Sequence, residues 1–368
     1  MEIVHLILGK ANPDRLNGVN KVVYQLASKQ AASGRNVAVW GIVDKTDHNY
    51  GKRNFKTVLF QSKTNPFRIG KALKKAIKLC DKDSVFHFHG GWIPIYSSLA
   101  RYLTRNNLKF VITAHGSYNT IAMQRSKWMK KFYFVLFEKS VLKRASTIHL
   151  IGESERQGLN SIYPNNKWKR IPYGFEMVKG MKDVNSTSDV FVIGFVGRLD
   201  IYTKGLDLLI YAYAKFQMKQ IESELWIIGD SDQRPELERL AWANNLSYTV
   251  KFMGSKFGSE KDTLIKKMDV FVHPSRNEGL PASVIEASNF GVPSIVTRAT
   301  NMAMFISKYN AGIAVENEDV EGLTQAFIDV YKLKKSGDLF QLSKNAVAMV
   351  EAEFDWNKLI VDFDELYK

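Results

Sequence analysis

The amino-acid sequence predicts an α/β protein built from two Rossmann-like domains that face a central cleft. Two observations predict this fold class. Short apolar runs alternate with segments of helical spacing in the first half, and the same alternation begins again after residue 190, a pattern typical of parallel sheets with crossover helices. A polar, aperiodic stretch at residues 178–189 separates the two series and is the predicted linker.

We place the first domain at residues 1–175 and the second at residues 190–354, which suits a chain of 368 residues. In the first domain, strands are predicted at 3–8, 37–43, 85–88, 110–113 and 147–151, with a helix at 19–33 that ends at Gly34. The C-terminal residues 355–368 contain an amphipathic helix that we expect to cross back onto the first domain.

In the second domain, the predicted strands are 191–196, 225–228, 250–253, 270–272 and 294–297, and the predicted helices are 206–216, 235–244 and 281–290. The helix at 281–290 has Pro281 at its first position and Gly291 just beyond its end. This asymmetry is characteristic of helix boundaries because proline is tolerated at a helix start and glycine is favoured just past its end.

Composition favours a cytoplasmic protein. A single cysteine, Cys80, leaves no internal disulfide and suits a reducing compartment. The opening MEIVHLILGK has no basic leader before its apolar run, so it predicts a strand rather than a signal peptide. We find no apolar run as long as the roughly 18 residues expected of a transmembrane helix.

The positive charge is concentrated in the first half. Residues 1–174 carry 30 Lys and Arg against 9 Asp and Glu, a net charge of +21, and the remainder carries a net −6, which together make the +15 of the chain. Sorting of charge by domain predicts an anionic partner for the first half, either a membrane surface or a nucleic acid. Solubility is the alternative explanation.

Two basic segments add to this picture. Residues 67–82 place Ile69, Leu73, Ile77 and Cys80 on one stripe among lysines. Residues 124–144 mix basic with aromatic side chains, namely Arg125, Lys127, Lys130 and Lys131 with Trp128, Phe132, Tyr133, Phe134 and Phe137. Such composition predicts attachment in a membrane interface. It is also compatible with apolar stripes that pack on the sheet beneath solvated lysines.

A pair of glutamates is the strongest chemical signal. Glu278 follows a predicted strand, and Glu286 lies inside the next helix. Gly279 permits close approach of the backbone, and a helix N-terminus offers free N–H groups to an anion. A carboxylate on that helix can accept from both hydroxyls of a ribose. The alternative is a capping residue and a solvated helix residue.

A second signal follows the strand at 191–196. The strand ends at Gly197, and Arg198 and Lys204 lie six residues apart on the next loop. Two cations aimed at a departing diphosphate would stabilise the charge that develops on it. The alternative is an ordinary surface loop.

For the histidines of the first half, the sequence favours packing in the core or at the edge of the cleft over a metal site. We predict that His87 and His89, on one strand, point to opposite faces, so that they do not chelate one ion, and no Cys or carboxylate completes a tetrahedral set. After the first strand the chain reads GKANPDRLNG, which lacks the G-x-G-x-x-G fingerprint of dinucleotide-binding proteins.

The segment Glu278-Gly279-Leu280-Pro281 with Glu286, preceded by His273-Pro274-Ser275, resembles the retaining GT-B glycosyltransferases of the large fourth family. The resemblance covers nearly the whole chain. It implies a GT-B fold and transfer of a hexose or N-acetylhexosamine from a UDP- or GDP-sugar to a glycan or polyprenyl-linked acceptor. It further implies a role in cell-surface polysaccharide synthesis at the inner face of the membrane.

The resemblance also implies roles for individual residues. The catalytic set is His115, Glu278, Arg198 and Lys204, with Glu278 and His115 near the donor sugar and the two cations on its diphosphate. The donor-binding set is Gly18, Gly197, Arg198, Lys204, Gly229, Met253, Gly254, Glu278, Gly279, Leu280, Pro281 and Glu286. Asn17 and His89 are assigned to the acceptor. Neither a metal nor a cofactor is expected, since Arg198, Lys204 and helix amides can balance the charge.

Two other functions remain open at this point. A nucleotide-sugar epimerase shares the fold and differs by releasing no free UDP. A basic nucleic-acid-binding protein would explain the charge and would bind in a salt-sensitive manner. No helix-turn-helix, RRM or zinc pattern supports that second alternative, so we expect no nucleic-acid partner.

Overall fold

The computed structural model of the protein describes residues 1–12, 18–48, 50–124, 126–178 and 190–368. The chain forms two compact units. Unit 1 comprises Met1–Gly174 and Trp356–Lys368, and unit 2 comprises Phe175–Asp355. Apart from Val178, the predicted linker lies outside the described residues.

Unit 1 contains a seven-stranded sheet in which every described pair of neighbouring strands is parallel. Its strands are Ile3–Ile7 (β1), Val37–Val43 (β2), Lys56–Gln61 (β3), Val85–His89 (β4), Lys109–Thr113 (β5), Thr147–Leu150 (β6) and Trp168–Arg170 (β7). Their order across the sheet is β3-β2-β1-β4-β5-β6-β7. The order reverses between β1 and β4, where open α/β sheets characteristically bind ligands at the carboxyl ends of the strands.

The helices of this part of the chain are Gly18–Ala32 (α1), Lys71–Lys78 (α2), Pro94–Arg105 (α3), Thr120–Gln124 (α4), Lys127–Tyr133 (α5), Lys139–Arg144 (α6) and Glu153–Ile162 (α7). A π-helical turn, Phe134–Glu138, joins α5 to α6. Single π-helical turns within helices are frequent at functional sites.

Unit 2 contains a six-stranded parallel sheet of order β10-β9-β8-β11-β12-β13. Its strands are Phe191–Val196 (β8), Ser223–Ile228 (β9), Val250–Gly254 (β10), Val270–His273 (β11), Ser294–Thr297 (β12) and Gly312–Val315 (β13). Its helices are Ile201–Lys204 (α8), Leu206–Gln217 (α9), Arg234–Ala243 (α10), Gly258–Lys266 (α11), Ala282–Asn289 (α12), Ala303–Tyr309 (α13), Val320–Ser336 (α14) and Leu339–Glu353 (α15). Here the strand order reverses between β8 and β11.

The C-terminal helix Trp356–Tyr367 (α16) belongs to unit 1, where it packs against α1 and the sheet. Its buried residues Leu359 and Phe363 join the apolar core that contains Ile3 and Val39. The Trp356 ring lies so close to Gly174 that a Cβ atom there would meet it at 2.3 Å. The helix therefore completes one face of the first sheet.

Two parallel sheets with crossover helices confirm the predicted fold class. The strands β2, β8 and β12 have the predicted bounds. Strands β3, β7 and β13 were not predicted; β3 is mostly half-buried with exposed ends, and β7 has only three residues. Pro281 is the residue before α12 rather than its first residue, with φ −69° and ψ 111°. Within the described ranges, no helix is long and apolar enough to cross a bilayer.

Candidate functional site

In unit 2, the loops that follow β8 and β11 are held together by short backbone contacts. The hydroxyl of Ser275 donates to the carbonyl oxygen of Thr203 at 2.6 Å, and the amide of Arg276 donates to the same oxygen at 3.0 Å. Gly205 has φ +65°, and a Cβ atom there would lie 2.1 Å from the carbonyl oxygen of Pro274. A side chain at Gly205 would therefore force the two loops apart.

Lys204 and Glu278, one from each loop, form an ion pair. Their side chains are 19% and 23% exposed. Nε2 of His273 lies 3.6 Å from Oε2 of Glu278, too far for a hydrogen bond. Burial raises the pKa of Glu278, but the neighbouring His273 and the Lys204 charge outweigh it and lower that pKa to about 2. The site thus holds a carboxylate and an ammonium group side by side.

Arg276 is a residue that the sequence did not single out. Its guanidinium donates two hydrogen bonds of 2.8 Å to Asp207, one of 2.9 Å to the carbonyl oxygen of Tyr202, and one of 2.6 Å to Glu318. These bonds tie the loop after β11 to α8 and α9. The hydrogen bond to Asp207 raises the pKa of Arg276 further, so the group stays charged. No spacing in the sequence marks this role, since its partners lie in three separate segments.

Arg198 lies apart from the Lys204–Glu278 pair. Its side chain is 72% exposed and bonds Asp200 at 2.9 Å. Asp200 also caps α8 by accepting from the amide of Thr203 at 2.9 Å. The structure therefore places both predicted cations between β8 and α9, with Arg198 exposed to solvent and Lys204 paired with Glu278.

Glu286 on α12 accepts a hydrogen bond of 2.7 Å from Lys261 on α11. Each side chain is 20% exposed. Lys261 was not predicted, because nothing in the sequence around it resembles a site. The same helix α11 lines a pocket of about 460 Å³ together with the predicted residue Met253, and its other lining residues are Lys256, Glu260, Thr263 and Leu264.

Three predicted glycines meet at the carboxyl ends of β8, β9 and β10. A Cβ atom on Gly229 would lie 1.8 Å from the carbonyl oxygen of Gly197, and the Gly229 amide donates to the carbonyl oxygen of Gly254 at 2.9 Å. A side chain is therefore excluded at Gly229, where only the backbone is presented. Gly279 has open space at its Cβ position, and its carbonyl oxygen accepts from the amide of Asn301 at 3.0 Å. Leu280 packs on the core, and Pro281 precedes α12.

In unit 1, the predicted residues fall in two groups. Asn17 lies outside the described residues, and Gly18 is the first residue of α1. His115 follows β5, is partly exposed, and has a left-handed φ of +52°. The amide of the next residue, Gly116, donates to the buried carboxyl of Glu155, whose pKa burial raises to about 7. Glu155 orders this turn and was not predicted.

The prediction that His87 and His89 point to opposite faces is wrong. Residues two apart on a strand share a face, and these two rings stack with centroids 4.2 Å apart. His89 is 2% exposed, with its ring nitrogens bonded to His5 and His115 at 2.9 Å each. Its side chain has no nitrogen left for an acceptor, so the proposed contact with an acceptor is corrected to a buried supporting position.

His5, His87 and His89 lie close enough to surround a metal ion, with one nitrogen of each within 4.8 Å of the others. Burial lowers the pKa of each of the three, so the rings are neutral and chemically able to bind a cation. However, every one of their nitrogens is already within 2.6–2.9 Å of a hydrogen-bond partner. The donor set therefore fits a hydrogen-bonded cluster better than an ion site.

Comparisons with known proteins agree with this layout. The family model for glycosyl transferases group 1 matches residues 179–347, and the model for Glycosyltransferase Family 4 matches residues 16–177. A capsular polysaccharide biosynthesis glycosyltransferase, CapM of Staphylococcus aureus, is 24% identical over 81% of this chain and 80% of its own length. The O-antigen biosynthesis glycosyltransferase WclY of Escherichia coli is 27% identical over 50% of this chain and 49% of its own length.

Solved structures are similar over the full length. Sucrose-phosphate synthase of Thermosynechococcus elongatus has a TM-score of 0.78 at 20% identity and covers 100% of this chain and 98% of its own. Anabaena HepE in complex with UDP has a TM-score of 0.76 at 15% identity and covers 99% of both chains. At such identity, the likeness establishes a shared GT-B fold.

Proposed function

Because the chain belongs to the group 1 glycosyltransferases, we propose that it transfers a hexose or N-acetylhexosamine from a UDP- or GDP-sugar to a glycan or lipid-linked acceptor. The product would enter a cell-surface polysaccharide such as capsule, O-antigen or lipopolysaccharide. The names of the relatives support this, since they include capsule, O-antigen and lipopolysaccharide-core enzymes. Membership of a transferase family argues against an epimerase and against a nucleic-acid-binding protein.

The observation that carries the proposal is the Lys204–Glu278 pair beside His273. Lys204 is a cation held in place by an anion, so it is positioned before a ligand arrives. A donor diphosphate offers Lys204 a second anion and releases the Glu278 carboxylate to accept from a sugar hydroxyl. Arg198 is exposed on the same segment, and exchanging its bond to Asp200 for one to the diphosphate would bring it to the outer phosphate oxygens. Both cations then stabilise the leaving diphosphate.

Glu286 is proposed to hold the ribose. Its hydrogen bond with Lys261 occupies one carboxylate oxygen and leaves the other for the ribose hydroxyls. Met253 lines the adjacent edge of the pocket on α11, where backbone groups can meet the base. The glycine backbone at Gly197 and Gly229 allows the phosphates to approach closely.

We propose that the reaction retains the anomeric configuration. The acceptor oxygen bonds to the anomeric carbon on the face from which the diphosphate departs, and the acceptor proton passes to a diphosphate oxygen. Lys204 and Arg198 balance the charge of that leaving group, so the mechanism requires no metal. His115, which the family resemblance places near the donor sugar, lies in unit 1.

We also propose that the enzyme attaches peripherally to the inner face of the cell membrane. Helix α5 and the π-helical turn present a cluster of exposed apolar side chains, which are Trp128 at 80%, Met129 at 73%, Phe132 at 68%, Val135 at 65% and Leu136 at 49% exposure. The opposite side of the turn buries Phe134 and Glu138. A compact apolar cluster on the half of the chain that carries +21 suits an anionic bilayer.

The proposed activity is tested with a panel of UDP- and GDP-sugars. We expect one nucleotide series to raise the melting temperature, and the matching nucleotide sugar to release free nucleoside diphosphate only when an acceptor glycan is present. Conversion of the nucleotide sugar without an acceptor and without release of diphosphate would indicate an epimerase instead.

A further inference from the structure

Five of the seven histidines belong to one continuous array of hydrogen bonds in unit 1. The array has nine bonds. The first three join Tyr173 Oη to His115 Nδ1 at 2.6 Å, His115 Nε2 to His89 Nδ1 at 2.9 Å, and His89 Nε2 to His5 Nδ1 at 2.9 Å. The next three join His5 Nε2 to Gln30 Oε1 at 2.6 Å, Gln30 Nε2 to Tyr367 Oη at 3.1 Å, and Tyr367 Oη to His87 Nδ1 at 2.9 Å. The last three join His87 Nε2 to Thr113 Oγ1 at 2.6 Å, Thr113 Oγ1 to His149 Nδ1 at 2.7 Å, and His149 Nε2 to the carbonyl oxygen of Ile171 at 2.8 Å. It runs from β1 through β6 and includes the C-terminal helix.

The carbonyl of Ile171 sets the direction of the array, because a carbonyl oxygen can only accept. His149 must donate to it from Nε2, so its Nδ1 must accept from the hydroxyl of Thr113. That hydroxyl has used its proton and accepts in turn from Nε2 of His87. Nδ1 of His87 then accepts from the hydroxyl of Tyr367. The direction of each hydrogen bond thus fixes the direction of the next.

The same logic continues to the other end. The oxygen of Tyr367 accepts from the amide nitrogen of Gln30, whose carbonyl oxygen accepts from Nε2 of His5. Nδ1 of His5 accepts from Nε2 of His89, and Nδ1 of His89 accepts from Nε2 of His115. One assignment therefore satisfies all nine bonds, and in it every imidazole is the Nε2–H tautomer.

The rings must be neutral for this pattern to hold. Burial lowers the pKa of His5 and His149 to about 4 and that of His115 to about 3. It lowers the pKa of His87 and His89 well below the usual value. A second proton on any ring would place two donors face to face, so the array and the neutral rings require each other.

The array ends at Tyr173, which donates its proton to His115. Among the described residues, the hydroxyl oxygen of Tyr173 makes no further hydrogen bond, and both Tyr173 and His115 are partly exposed. A hydroxyl whose proton is committed inward is a strengthened acceptor, because bonds in such a series polarise one another.

We propose that the array locks His115 as its Nε2–H tautomer and fixes the hydroxyl oxygen of Tyr173 as an acceptor for a hydroxyl group of a bound sugar. Tyr367 and Thr113 are positioning residues, since they transmit the direction set at Ile171. The identity of the ligand as a sugar rests on the proposed function, and the state of the array does not. The C-terminal helix thereby contributes to the site through Tyr367 as well as through packing.

The state of the array is tested by long-range ¹H–¹⁵N correlation spectra, which distinguish the two tautomers of each histidine. We expect His115 to be Nε2–H in the wild type. In Tyr367→Phe, the hydrogen bonds from Gln30 to Tyr173 lose their connection to the carbonyl of Ile171. The Gln30 amide then rotates so that its nitrogen donates to His5, and each bond from His5 to Tyr173 reverses its direction. An Nδ1–H signal of His115 is expected to appear. Tyr173→Phe lies beyond His115 and leaves its tautomer unchanged. Tyr102→Phe, which removes a surface hydroxyl bonded to the carbonyl oxygen of Lys74, is the matched control.

An Nδ1–H His115 in the wild type overturns the proposal, as does a Tyr367→Phe spectrum identical to the wild type. Thr113→Val removes the hydroxyl that joins His87 to His149, and so also disconnects His115 from the carbonyl of Ile171. It replaces Tyr367→Phe if that variant does not fold. Titration with Zn²⁺ is expected to leave the spectrum unchanged. An equimolar complex that shifts the signals of His5, His87 and His89 would overturn the array in favour of a metal site.

The contact with a sugar is tested by activity. Tyr173→Phe is expected to lower kcat/KM for sugar transfer about tenfold, the usual cost of one productive hydrogen bond, while Tyr102→Phe leaves it unchanged. Equal activity of Tyr173→Phe and wild type overturns the sugar contact. Absence of transfer by the wild type with every nucleotide sugar refutes the proposed function, and the spectra still decide the state of the array.

Discussion

Lys261 on α11 and Glu286 on α12 form a hydrogen-bonded ion pair of 2.7 Å, in which each side chain is one-fifth exposed. Glu286 was predicted from the sequence as a site residue, and Lys261 was not. Since Lys261 occupies one carboxylate oxygen, the carboxylate is held in one orientation with its other oxygen available. Ribose recognition by Glu286 would therefore depend on Lys261 as a positioning residue.

Glu286→Ala is expected to weaken nucleotide binding by about 1.5–3 kcal/mol, the range for hydrogen bonds to a charged group. Lys261→Met should weaken it by a smaller amount, because the carboxylate remains but loses its orientation. Calorimetric titration with UDP and GDP measures both. The control Glu321→Ala removes a surface pair with Lys215 and should bind as the wild type does. Unchanged affinity of Glu286→Ala would remove this residue from the site.

Lys204→Ala and Arg198→Ala are expected to lower kcat more than they raise KM for the donor. Their charges face an anion that grows only as the glycosidic bond to the diphosphate breaks. Steady-state kinetics with varied nucleotide sugar separates the two parameters. A change confined to KM would mean that the cations bind the ground state and transition state equally.

The Lys204–Glu278 pair also predicts a dependence of stability on pH. Burial opposes ionisation of Glu278, yet His273 and Lys204 lower its folded pKa to about 2, below the usual value of 4.5. The pair therefore contributes stability above the unfolded pKa, and that contribution is lost as pH falls toward the folded pKa. Lys204→Met should destabilise the protein to urea near neutral pH, and the difference should shrink on acidification from about pH 5 toward about pH 3. A difference independent of pH would assign the effect to packing.

The fold followed from the sequence more completely than the site did. Buried parallel strands such as β2 and β8 are continuous apolar runs, which a sequence displays directly. Glu278 and Glu286 were predicted together because they share one local segment. Lys261 was not, because it meets Glu286 only through the packing of two helices. The histidine array draws on Gln30 and on the C-terminal helix, so its members become neighbours only when the sheet assembles.

Arg276 is expected to hold the two loops of the site in place without contacting a ligand, so its substitution should change the position of Lys204. Arg276→Lys keeps the charge but cannot make the two parallel bonds to Asp207 or also reach Tyr202 and Glu318. We expect kcat to fall several-fold because Lys204 is held less firmly, with nucleotide affinity nearly unchanged. Arg298→Lys is the matched control, since Arg298 bonds Glu316 on an exposed surface. Parallel kinetics and titration decide between this role and a direct contact with the donor, which would reduce affinity as well.

Turnover is expected to persist in the presence of EDTA, because Lys204 and Arg198 can balance the charge of the diphosphate. The measurement is release of nucleoside diphosphate before and after treatment with EDTA, followed by addition of Mg²⁺ or Mn²⁺. Strict dependence on an added divalent ion would contradict the metal-free mechanism. Recovery of turnover by Zn²⁺ alone would instead indicate a functional metal site at His5, His87 and His89.

Membrane attachment is expected to depend on the exposed apolar cluster and on nearby charge. Trp128 and Phe132 are 80% and 68% exposed. The ammonium of Lys131 lies 5.8 Å from the Trp128 ring, so charge and apolar surface are adjacent. Lys130 contributes less, because its ammonium bonds the carbonyl oxygen of Ala122, and the side chain of Lys127 lies outside the described residues. The variant that tests the surface is therefore Trp128→Ser with Phe132→Ser and Lys131→Glu.

Wild-type protein should sediment with vesicles containing phosphatidylglycerol or cardiolipin, weakly with neutral vesicles, and less as salt is raised, because interfacial cations contribute about 1 kcal/mol each and salt screens them. The triple variant should remain in the supernatant while turnover of a soluble acceptor analogue is retained. Tyr248→Ser, which removes an 89% exposed aromatic from unit 2, should sediment as the wild type does. Equal sedimentation with neutral and anionic vesicles would contradict the electrostatic contribution and would indicate attachment through the apolar side chains alone. Absence of sedimentation with both would refute membrane attachment, and the charge of the first half would then need another anionic partner.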